Sequence, residues 1–126
     1  LDLTDNVVFY GNTGRDEIIS FMKSADSLVS ASRNESIPMV IVEAARFGLP
    51  TVATDVGDCR YVIEKYKIGY IAKSENPESL SDIMLKVMNK GKLFRKESKS
   101  GLAKISNDFV QSEQVDTLLR CIKSTL

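Results

Sequence analysis

Short apolar runs alternate along the chain with longer stretches at helical spacing, and that alternation predicts its architecture. Val7 to Tyr10, Ser27 to Ala31, Thr51 to Thr54 and Gly69 to Ala72 read as brief buried strands, punctuated by Gly11, Pro50 and Asp55. Asp16 to Ala25 puts Ile18, Ile19, Met22 and Ala25 on one face of an amphipathic helix. In the central helix Ser36 is a candidate cap, Pro38 falls in the first turn, Gly48 suits a left-handed stop and Pro50 prevents continuation. Cys59 to Glu64 makes a short helix in which Tyr61 reads as a packing residue. From Glu78 to Lys90, Leu80, Ile83, Met84, Val87 and Met88 recur as core positions. Phe94, Leu102, Ile105 and Phe109 predict a further helix broken near Gly101, and Val115, Leu118, Leu119 and Ile122 stripe a last one. The fold class expected is α/β: a parallel sheet of about four strands (7–10, 27–31, 51–54, 69–72), helices on both faces, and a helical carboxyl-terminal third.

Composition narrows the chemistry. At 126 residues the chain reads as one domain, 1–126, at the small end for an α/β sheet. Seventeen basic and seventeen acidic residues cancel, so no electrostatic footprint for nucleic acid is visible. No apolar run approaches membrane-spanning length and no leader pattern opens the sequence. Cys59 and Cys121 stand far apart without metal-ligand spacing, which fits a reduced cytosolic setting. With no histidine, no histidine base, triad or metal ligand can come from this chain. Basic residues gather at Lys86, Lys90, Lys92, Arg95, Lys96 and Lys99, either as a solvated helical face or as a peripheral contact with anionic lipid at the inner membrane surface.

The stretch from Ala31 to Asp58 holds the candidate site. Two carboxylates, Glu35 in a loop and Glu43 in a helix, fall with a helix N-terminus near the carboxyl ends of parallel strands, where open α/β sheets bind ligands. Each acid also has a plain reading: Glu43 could pair with Arg46, and Glu35 could be a solvated acid at the positive end of the helix. Gly11-Asn12-Thr13-Gly14-Arg15 lacks the glycine spacing and the lysine of the common phosphate-binding loops, and an ordinary strand-to-helix connection is equally consistent with it.

Glu35-x7-Glu43, followed by Ala44-Ala45, Gly48-x-Pro50 and Thr51 to Gly57, resembles the retaining GT-B glycosyltransferases of family 4. The similarity extends to Ile68-Gly69-Tyr70-Ile71, Pro77-Glu78-Ser79-Leu80 and Val7 to Gly11. It implies a Rossmann-like, donor-binding carboxyl-terminal domain, with Glu35 as the catalytic residue approaching and orienting the donor sugar and Glu43 holding the nucleotide ribose. By the same resemblance the amides of Ile37, Met39 and Val40 face sugar and diphosphate, Gly57 lies close to the donor, and Gly11 and Asn12 lie near the base. Pro38 and Asp58 depart from the glycines usual at those points.

The function implied is transfer of a sugar from a nucleoside-diphosphate donor to an acceptor, in cell-surface polysaccharide or glycolipid synthesis, without a cofactor or metal. Nothing here resembles the family's acceptor-binding amino-terminal domain or its early arginine and lysine, so the chain alone is expected to be inert. A non-catalytic interaction or regulatory module and a sugar-nucleotide epimerase of the same architecture are the alternatives. If the complete sheet follows the order 3-2-1-4-5-6, this chain holds strands three to six. Val7–Tyr10 then either slides in beside Ser27–Ala31 in a monomer or leaves an edge for a homodimer.

Overall fold

The computed structural model describes residues 3–36 and 38–108. Their elements run α1 (Arg15–Ser24), β1 (Leu28–Ser30), α2 (Met39–Arg46), β2 (Thr51–Thr54), α3 (Cys59–Tyr66), β3 (Gly69–Ala72) and α4 (Pro77–Asp108). The strands lie parallel in the order β1-β2-β3, Val29 opposite Val52 and Val52 opposite Tyr70. Parallel neighbours need a crossover, which α2 and α3 supply. Gly48, at φ 67°, ends α2 as expected, and the Leu49 amide donates back to the Ala44 carbonyl at 3.1 Å.

Successive strand residues face opposite ways, and the two faces carry different covers. Leu28, Ala53 and Ile71 join Ile41, Val42, Val62, Ile63, Leu102 and Ile105, from α2, α3 and the far half of α4. Val52 and Tyr70 meet Leu80, Ile83, Val87 and Phe94, all from α4. All four β2 residues are buried, as a central parallel strand between two covered faces requires. The α/β sheet with helices on both faces is therefore present, with three strands among the described residues.

The fourth expected strand is not formed. Beyond Val7, whose amide closes a turn onto the Leu3 carbonyl, no backbone hydrogen bond among the described residues ties Val7–Tyr10 to β1 or to any other strand. Phe9 is 92 % exposed, and Tyr10 rests on Phe21 with ring centroids 4.5 Å apart. An apolar run supplies strand propensity but not a ladder partner, and the slide beside β1 did not occur.

Asn76 and Pro77 start α4: the Ser79 amide donates to Asn76 Oδ1 at 2.7 Å, and proline occupies the first helical position. The break in this helix lies at Gly91 (φ 47°, ψ −133°), a conformation open essentially to glycine alone, and not near Gly101. Gly101 is helical; a Cβ there would come within 1.6 Å of the Tyr66 carbonyl oxygen, so its smallness serves close packing. The apolar stripe before the break is also narrower than its spacing implied. Leu80, Ile83 and Val87 pack, while Met84 and Met88 on its flank are exposed. Tyr61 is exposed as well, with the Lys65 ammonium 5.4 Å from its ring centroid, so it is not a packing residue. Phe109, Val115, Leu118, Leu119, Ile122 and Cys121 lie outside the described residues.

Candidate functional site

Three loops leave the carboxyl ends of the strands on one edge of the sheet, and hydrogen bonds tie the first two together. Thr54 closes β2, and its buried hydroxyl donates to the Ser32 carbonyl at 2.6 Å and more weakly to that of Ser30 at 3.4 Å. A hydroxyl inside a fully buried strand needs such acceptors. Further along, the Asp58 amide donates to the Ser36 carbonyl at 3.1 Å. Gly57 has φ 49°, and a Cβ on it would sit 2.0 Å from the Glu35 carbonyl oxygen. The Glu35 loop is thus held along its length by the loop after β2. The third loop joins more loosely, through Arg33 and Glu75 at 3.9 Å.

Ser36 does not cap α2. The N-cap position is Pro38, no side chain bonds to the first turn, and Ser36 engages Asp58 through its carbonyl instead. Pro38 therefore stands just before the first turn rather than in it. The Ile41 amide closes onto the Pro38 carbonyl at 2.9 Å, while the Met39 and Val40 amides find no acceptor among the described residues. Those are the donors a helix start leaves available. Ile37 lies outside the described residues.

Glu35 is half-buried, and its Oε1 accepts from the Ser32 hydroxyl at 2.8 Å, so it is more than a solvated loop acid. Cys59, buried at the start of α3, lies close enough to feel it: burial first, and then the charge of Glu35, push the thiol pKa up. The thiol accordingly stays protonated at neutral pH. Glu43 is placed differently. In α2 only Met39, Glu43 and Arg46 are exposed, an i, i+4, i+7 stripe opposite the buried Ile41, Val42, Ala44 and Ala45. Glu43 stands one turn beyond Met39, about 6 Å along the axis, and forms no ion pair with a described residue.

The fold thus brings Glu35 and Gly57 together, and sets Met39, Val40 and Glu43 on the helix that follows. Gly11 and Asn12 are exposed, and no hydrogen bond ties them to this edge among the described residues. Three supporting features were not read from the sequence. Thr54 and Ser32 act as ties, and the Arg60 fork grips Asp55 through contacts of 3.0 and 2.6 Å while reaching Glu64 at 2.8 Å. Its hydrogen bonds hold the Asp55 carboxyl below the usual carboxylate range. A buried strand ending in threonine was a usable signal for the first tie. Asp55 and Arg60, five apart across a turn, match no regular spacing.

Chemically, the edge offers a carboxylate able to accept from two vicinal hydroxyls, helix-start amides suited to an anion, and a second carboxylate fixed beyond them. Among the described residues no group of three or more acidic, histidine or cysteine side chains gathers where a metal could sit, and no helix is long and apolar enough to cross a membrane.

The chain is similar to known proteins over most of its length. An uncharacterised glycosyltransferase of Methanocaldococcus jannaschii is 33% identical over 97 residues, 76% of this chain and 27% of that protein. An uncharacterised 41.2 kDa protein in the cps region of Klebsiella pneumoniae is 30% identical over 121 residues, 95% of this chain and 33% of the relative. The chain thus spans about a third or less of these relatives' length. The structure of sucrose-phosphate synthase from Thermosynechococcus elongatus superposes with a TM-score of 0.85 over 99% of this chain and 32% of that one; at 20% identity the likeness is one of fold, a Rossmann-like fold of the GT-B kind. The profile described as glycosyl transferases group 1 matches residues 1–103, and the chain belongs to that family.

Proposed function

We propose that the chain is the donor-binding carboxyl-terminal domain of a retaining glycosyltransferase, which moves a sugar from a nucleoside-diphosphate donor to an acceptor held by a separate amino-terminal domain. One observation carries this reading most: the start of α2 and Glu43 share a single outward stripe beside the fixed Glu35 loop. On this proposal the Met39 and Val40 amides hold the diphosphate as it becomes the leaving group, and Glu43 accepts from the ribose hydroxyls. Glu35 orients the donor sugar, with Gly57 allowing close approach and Gly11 and Asn12 meeting the base. No step in this scheme calls for a metal or cofactor. The intact protein is proposed to work in the cytoplasm, in cell-surface polysaccharide or glycolipid synthesis; a buried free thiol at Cys59 is consistent with a reducing setting.

Titration of nucleoside diphosphates into the intact protein by calorimetry tests the reading. One nucleotide should bind, and Glu43→Gln should weaken it by about 1.5–3 kcal/mol, the scale of a hydrogen bond to a charged group. No binding of any nucleoside diphosphate would reject the proposal. Unchanged affinity in the variant would reject the role of Glu43.

A further inference from the structure

A second feature lies at the opposite end of α2. There Arg46 meets Lys92, Arg95, Lys96 and Lys99 of α4 around an open groove of about 640 Å³, whose lining includes Phe47 and, among the described residues, no acid. The four α4 cations are spaced i, i+3, i+4 and i+7, which sets them on one face of the helix. The acid nearest in sequence is taken by another group. Glu97, the one acid between Lys92 and Lys99, turns away to bond Lys90 at 2.9 Å. Lys92, Lys96 and Lys99 form no ion pair with a described residue. Arg95 is anchored by donating to the Ala25 carbonyl at 2.9 Å, which pins this half of α4 to the end of α1.

Apolar surface continues from the cations. Met88 is 70 % exposed and lines an adjoining hollow together with Lys92, Arg95 and a single acid, Asp26. The face thus sets a line of cations beside a protruding methionine. A single soluble phosphate would call for donors converging on a point, whereas Lys92 to Lys99 run for about 10 Å along the helix. A row of cations flanked by apolar side chains instead matches an interfacial membrane contact.

We infer that this face binds the anionic headgroups of a membrane surface, with Met88 entering the headgroup layer. The inference is independent of the donor reading. Arg46 and Met39 occupy opposite ends of α2, so a membrane held against the groove leaves the strand-end edge open to solution.

The test is co-sedimentation of the intact protein with phosphatidylcholine vesicles, with and without phosphatidylglycerol. Binding should require phosphatidylglycerol and fade at high salt. Replacing both Lys96→Gln and Lys99→Gln should weaken it roughly 25-fold, about fivefold per cation. Lys96→Arg with Lys99→Arg should retain it, and nucleotide affinity should be unchanged in both pairs. No binding, equal binding to both vesicle types, or binding indifferent to the glutamine pair would overturn the inference. Inorganic pyrophosphate binding that the glutamine pair abolishes, without vesicle binding, would reassign the face to a soluble anion and overturn it equally.

Discussion

Residues 31–36 are bonded to Thr54 at the end of β2 and to Asp58 in the loop after it, and lie hard against Gly57, whereas residues 11–14 touch no other loop by a hydrogen bond among the described residues. The second loop's ties are local and sit where α1 begins: the Gly14 amide donates to Glu17 at 3.1 Å and the Gly14 carbonyl accepts from the Ile18 amide at 3.1 Å. Both loops are proposed to meet the donor, yet they bring different entropy to that meeting. The first arrives with its geometry already set by the sheet edge, so binding gives up little freedom there. The second has no comparable tie to the sheet edge among the described residues, so whatever freedom it gives up on binding offsets the contacts it makes.

The contrast can be broken most forcefully at Gly57. Gly57→Val adds a side chain where φ is positive and a carbonyl oxygen stands in the way, and should cost about 3 kcal/mol or more. It should lower the unfolding midpoint of the domain and abolish nucleotide binding; a variant with unchanged midpoint and affinity would show that the first loop is not fixed this way. Glu35→Gln sharpens the contrast within the held loop. Transfer should slow by roughly 10- to 100-fold, the scale of a lost charged hydrogen bond, while affinity for free nucleoside diphosphate stays nearly constant. Equal losses in rate and affinity would merge the roles of Glu35 and Glu43. Asn12→Ala, on the loosely held loop, should change affinity by only about 0.5 kcal/mol, as exposed substitutions usually do. A tenfold loss there would mean that this loop is as well organised as the other.

Most of the sheet was legible because its signals are local. Pro50 and Asp55 bracket β2, and Gly48 stops α2 with a left-handed residue, whereas the Asn76-Pro77 start of α4 was not read. What was misread depended on partners distant in sequence. Val7–Tyr10 has the composition of a strand, but a strand exists only against a neighbour. Gly91 and Gly101 are indistinguishable as letters; one takes a dihedral closed to other residues, and the other makes room for the Tyr66 carbonyl. In the candidate site, the sequence put Glu35 in a loop and Glu43 in a helix, as observed, but it misread the helix start, which Pro38 and not Ser36 occupies. The ties of Ser32, Thr54 and Asp58 were not readable, because they cross from one loop to another.

The break at Gly91 also bears on how the protein opens. One continuous stretch covers both faces of the sheet, its first half over Val52 and Tyr70 and its second against Tyr66 and Ile68. Neither face can lose its cover while the other keeps an undisturbed neighbour. Amide hydrogens of β2 should therefore exchange with solvent only in the same rare opening that frees those of β3, as a single cooperative unit.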